Sequence, residues 1–64
     1  MRLLKIQVNS DNTLIIEHNK SIIELNNISE LIHHFNFKTV EKIINTINHI
    51  KKTENYNVIF SIRY

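Results

Sequence analysis

The chain has 64 residues, a formal charge of +2 and no cysteine. It is therefore read as one small domain spanning residues 1–64, with disulfides, thiolate metal sites and cysteine nucleophiles excluded. The pI near 9.2 reflects only two excess cations, which is too few for a dedicated DNA-binding face and of the wrong sign for an acidic DNA mimic.

A chain this short buries only roughly 60% of the surface it exposes when unfolded, so its stability rests on tight packing or on a second chain. Ile and Asn dominate, Lys follows, and Gly, Pro and Ala are absent. The favoured residues are coded by A/T-rich triplets and the missing ones by G/C-rich triplets, so the bias implies an AT-rich genome. It also lowers the weight that any single Asn or Lys deserves. No apolar run approaches the roughly 20 residues of a membrane span, and the N-terminal residues alternate in polarity where a signal peptide would be continuously apolar. The expectation is a soluble cytoplasmic protein without membrane contact.

In chain order, "RLLKIQVN" sets Leu4, Ile6 and Val8 against Lys5, Gln7 and Asn9, the period of two expected of a half-buried strand. "NSDN" (residues 9–12) is the turn, because Asn and Asp bond to their own backbone and tolerate left-handed conformations. "TLIIEH" (residues 13–18) then completes a hairpin. Residues 21–25 read as a short third strand, against the rival of one longer helix from Ile22.

Ser21 and Glu24 match a capping box for that rival, but Asn27 as N-cap with Glu30 three residues on is the better helix start, and Ile28, Leu31, Ile32 and Phe35 follow at helical spacing. Asn36 is expected to close that helix in the left-handed conformation, with Phe37 packing back on it. Thr39 would cap a second helix, with Glu41 in its first turn and Lys51 and Lys52 in its last. Val40, Ile43, Ile44, Ile47 and Ile50 form its apolar stripe. "YNVIFSIRY" is the clearest strand. The fold class is α+β: two layers, an antiparallel sheet of three to four strands with two helices on one face, in the order β-β-(β)-α-α-β.

No catalytic constellation is apparent. The carboxylates Asp11, Glu17, Glu24, Glu30, Glu41 and Glu54 sit in polar settings without acid/base spacing, and no Gly loop exists to cradle a phosphate. The imidazoles are His18, His33, His34 and His49. His33 and His34 are adjacent and would point about 100° apart on a helix, so they lack metal-ligand spacing. A non-enzymatic protein without cofactor or metal is expected.

Two surfaces remain. If even positions of the terminal strands face the helices, Leu3, Ile15, Ile23 and Ile59 form an apolar stripe on the other face, an expected protein-binding surface whose contacts would be Leu3, Lys5, Ile15, Ile59, Arg63 and Tyr64. The competing view is that scattered exposed Ile is ordinary in an Ile-rich chain. The second helix offers Lys38, Lys42, Asn45, Asn48, His49, Lys51 and Lys52 to nucleic acid, opposed by Glu41 near its N-terminus and the small charge excess. The leading expectation is docking on a larger protein or nucleoprotein complex, with a homodimer as one form of it. Size and AT-rich coding suggest by association a phage inhibitor of host defence of the anti-CRISPR kind. The alternatives are a small nucleic-acid-binding regulator and a structural subunit of a large assembly.

Overall fold

The computed structural model describes residues 2–64. They form β1 (Leu3–Val8), β2 (Leu14–His18), β3 (Ser21–Leu25), a 3₁₀-helix (Ile28–His33), α1 (Phe37–Thr53) and β4 (Ile59–Arg63). The strands make an antiparallel sheet in the order β3-β2-β1-β4, with β1 and β2 inside and β3 and β4 at the edges.

The expected alternation of β1 holds along its length. Leu4, Ile6 and Val8 are fully buried, with Leu14 and Ile16 beside them on β2 and Leu25 on β3. The first turn is closed by the Asn12 N–H donating to the Asn9 carbonyl at 2.9 Å, and Asn12 itself is left-handed at φ 70°. Asp11 accepts from the Thr13 hydroxyl at 2.6 Å and the Thr13 N–H at 3.0 Å. The hydroxyl first and the N–H second hold its carboxyl below the usual Asp range. The support these bonds lend the turn is thus present above the ordinary Asp pKa and is lost as pH falls through the lowered one.

β2 and β3 are joined by Asn19 and Lys20 alone, both at positive φ (49° and 66°) between the paired residues His18 and Ser21. This is the two-residue turn whose twist matches that of the flanking strands. It establishes residues 21–25 as a strand and sets their register. Ile23 pairs with Ile16 on the helix side and Ile22 with Glu17 on the other. Ile23 therefore packs against the core, which corrects its expected place on the outer face.

The second correction concerns the helices: α1 is the only α-helix among the described residues. The Asn27 capping box is present, but the segment it starts is a 3₁₀-helix, with the Glu30 N–H on the Asn27 carbonyl at 3.1 Å and the His34 N–H on the Leu31 carbonyl at 3.1 Å. Six residues rich in β-branched and His side chains do not repay α-helix nucleation. At three residues per turn, Ile28 and Leu31 share a line and Ile32 falls off it, so Leu31 is buried while Ile32 is 67% exposed.

Asn36 does not close the preceding helix. It is extended (φ −72°, ψ 167°) and caps α1, its Oδ1 accepting the Thr39 N–H at 2.9 Å. Asn is the better N-cap, and starting three residues before the expected Thr39 cap lengthens the helix by most of a turn. Phe37 is left 81% exposed, and Thr39 is buried. Val40, Ile43, Ile47 and Ile50 are buried, as expected of the stripe, with Ile44 half-buried. Glu54 ends α1 in the left-handed conformation (φ 57°), its N–H and that of Asn55 satisfying the Lys51 and Ile50 carbonyls, the pairing of a Schellman motif. The last strand is shorter than expected, because Asn57 turns left-handed (φ 64°) and donates to the Val8 carbonyl before β4 begins.

Among the described residues, Lys20 and Glu54 hold positions that glycine occupies at least cost. Lys20→Gly and Glu54→Gly should each raise stability by about 1 kcal/mol through relief of the left-handed penalty, whereas Ile47→Ala should lower it by about 2–5 kcal/mol. Urea midpoints at constant m-value check all three.

Candidate functional site

The outer sheet face carries Ile22 and Glu24 from β3, Ile15 and Glu17 from β2, Leu3, Lys5 and Gln7 from β1, and Ile59, Ser61 and Arg63 from β4. Of the expected contacts, Leu3 (51% exposed) and Ile59 (62%) lie here, as do Lys5, Arg63 and the half-buried Ile15. Ile22, 70% exposed, takes the place expected of Ile23. The parity of the Asn19-Lys20 turn is the signal that identifies it.

Tyr64 does not belong to this group. It projects to the helix side, where its hydroxyl hydrogen-bonds His18 Nε2. His18 in turn meets the Phe35 ring edge-on at 5.5 Å, so the three rings close one end of the core and Tyr64 is half-buried.

The apolar side chains of the outer face form no continuous stripe. One row runs Ile22, Glu17, Lys5, Ser61 and the next Glu24, Ile15, Gln7, Ile59. Ile15 and Ile22 are diagonal neighbours at roughly 7–8 Å. Gln7 separates Ile15 from Ile59, and its amide is tied to Asn9 Oδ1 at 2.7 Å. Lys5 lies directly opposite Glu17, a pairing of opposite charges that favours this register.

The second surface is the outward side of α1, where Lys38, Lys42, Asn45, Asn48, His49, Lys51 and Lys52 are all exposed. At about 100° per residue, Lys38, Lys42, Asn45, His49 and Lys52 fall within about 40° of one line running some 21 Å along the helix. Asn48 lies to one side of that line and Lys51 points well away from it. Glu41 flanks the line between Lys38 and Asn45, and sits beyond the helix's first turn, which holds no acidic residue. An open pocket of about 250 Å³ lies where α1 begins, lined by Asn36, Lys38, Thr39, Lys42 and Tyr64.

Chemically reactive groups are dispersed. The six carboxylates are exposed, and His33, His34 and His49 are likewise at the surface. Among the described residues no three His, Asp or Glu side chains gather into a metal-ligating group, and no helix is long and apolar enough to cross a membrane. Compared with known proteins, the chain matches no family model, no curated protein and no solved structure.

Proposed function

We propose that this is a non-enzymatic binding protein that docks on a larger protein or nucleoprotein complex through the outer face of its sheet. The observation that carries the reading is that Leu3, Ile22 and Ile59 are exposed, and Ile15 half-buried, on one sheet face that no other described element covers, with Ile15 and Ile22 adjacent and Leu3 and Ile59 set apart by polar side chains. Large aliphatic side chains on a small domain's uncovered sheet face lose little and gain about 1.5–3 kcal/mol each when a partner covers them. The interleaved Lys5, Glu17, Glu24 and Arg63 supply the polar contacts that fix orientation. Inhibition of a host defence system by such docking remains an extension from small size and AT-rich coding.

The test is a photo-crosslinking amino acid placed at Ile22 or, as a contrast, at Asn45, in cells of the source organism. A defined protein adduct is expected from position 22 and lost on Ile15→Lys, with the fold checked by circular dichroism. Adducts formed only from position 45 refute the docking face.

A second reading has its own observation, the line of Lys38, Lys42, Asn45, His49 and Lys52 along α1. As a small nucleic-acid-binding regulator, the protein would set the ammonium groups of Lys38, Lys42 and Lys52 on phosphates along the helix, with backbone N–H groups favouring an anion at its start. Three phosphate contacts give a slope of log K against log salt of about −2.7 on duplex DNA. Lys42→Ala should weaken binding to all sequences alike and reduce that slope by about 1. Titration of duplex and single strand at two salt concentrations decides it, and absence of binding at low salt removes this reading.

A further inference from the structure

We infer that β4 is the self-association edge of this protein, pairing antiparallel with β4 of a second copy about a two-fold axis at Ser61. The occupant follows from three features of the strand.

First, the edge is open in a defined pattern. Arg2 and Tyr64 exchange both backbone hydrogen bonds, at 3.3 and 3.1 Å. Hydrogen-bonded pairs alternate along an antiparallel ladder, so Ile62 and Phe60 also point their backbone groups at β1. The N–H and C=O groups of Ile59, Ser61 and Arg63 therefore point away from the sheet. Lys42 Nζ on the Arg63 carbonyl, at 3.4 Å, agrees with this direction. That contact is long and on a flexible side chain, and a backbone N–H replaces it readily.

Second, those free groups are self-complementary. With Ser61 on the axis, Ser61 meets Ser61 of the second copy, and each Ile59 meets the other copy's Arg63. All three are hydrogen-bonded pairs, so every free N–H and C=O of the three residues finds a partner. No like charges face each other: Arg63 lies opposite Ile59, and Ser61 is neutral.

Third, the same register covers what the monomer leaves half bare. α1 packs over β1 and against the 3₁₀-helix, so Phe60 and Ile62 on the helix side of β4 remain half-buried, as does Tyr64 just beyond it, while the β1 partners Ile6 and Leu4 are fully buried. The two-fold places each Phe60 opposite the other copy's Ile62, in the non-hydrogen-bonded pairs where side chains approach most closely. It also brings Val58, 47% exposed, toward the other copy's Tyr64. β3 lacks this combination, since the 3₁₀-helix packs beside it and its Leu25 is buried. In the dimer both α1 helices lie on one side and both outer faces join into one sheet surface, which is a form of the protein distinct from whatever docks on that surface.

The test uses the purified full chain alone, so it is independent of the docking partner. Sedimentation over rising concentration should show the mass moving from 7.7 kDa toward twice that value. The chain has no native cysteine, so Ser61→Cys introduces a single thiol. Hydrogen-bonded antiparallel pairs hold their Cβ atoms about 5.5 Å apart, too far for an unstrained disulfide but within reach of a short bismaleimide, which should join dilute Ser61→Cys into a covalent dimer while Glu24→Cys on β3 stays largely monomeric. Ser61→Pro removes an edge donor without touching the ladder to β1 and should leave a folded monomer. A wild-type chain that stays at the monomer mass, a folded Ser61→Pro that still dimerises, or Glu24→Cys that crosslinks as well as Ser61→Cys each overturns the inference. Should Ser61→Pro fail to fold, the two cysteine variants decide alone.

Discussion

The structure depends on the burial of one strand. β1 pairs with β2 on one side and β4 on the other, and its Leu4, Ile6 and Val8 are sealed beneath the stripe of Val40, Ile43, Ile47 and Ile50 on α1. With no disulfide to restrict the unfolded chain, this apolar contact is the main term set against conformational entropy. α1 has poor intrinsic propensity where it is richest in Ile, since β-branched side chains lose rotamer freedom in a helix. Its helicity is therefore a consequence of the sheet beneath it, and sheet and helix must form together.

A single α-helix cannot cover four strands. Its axis lies over the middle of the sheet, and the 3₁₀-helix extends the cover toward β3. Nothing comparable extends it toward β4, whose inward residues are only half-buried. The asymmetry follows from where the 3₁₀-helix ends. The 3₁₀-helix follows β3 directly in the chain and packs beside it, so its cover stays at that edge. Asn36 turns extended and starts α1 early, and the inward aromatics of β4 are left at the margin.

The sheet was largely legible in the sequence because its signals are local: the alternation of β1, the Asn-Ser-Asp-Asn turn, and the capping residues Asn27 and Glu30. The errors came where a choice depended on energy differences beyond the pattern. Ile28, Leu31, Ile32 and Phe35 fit an α-helical spacing, but a six-residue segment settles into the tighter 3₁₀ form, and Ile32 is lost from the core. Asn36 suits either a left-handed helix end or an N-cap, and the sequence of Phe37-Lys38 does not favour one. Tyr64 stands among the expected outer-face contacts, although strand parity sets it on the helix side with Phe60 and Ile62. The basic line along α1 was readable as a residue set, yet its members Asn48 and Lys51 drop out once the helix phase is known.

The missing glycines shape the surface as much as the core. Asn12, Asn19, Lys20, Glu54 and Asn57 all hold positive φ, and each sits at a junction between elements where the chain must reverse. Asn tolerates this conformation because its amide compensates locally, whereas Lys20 and Glu54 adopt it because the strands and helix on either side leave no other path. The same composition leaves both edge strands without Gly or Pro, two of the devices that commonly interrupt an edge. Lys42, leaning on the Arg63 carbonyl, is the one guard at β4, and a single flexible ammonium covers one of the three edge residues. Local backbone strain and an edge strand without a Gly or Pro break thus share one compositional cause.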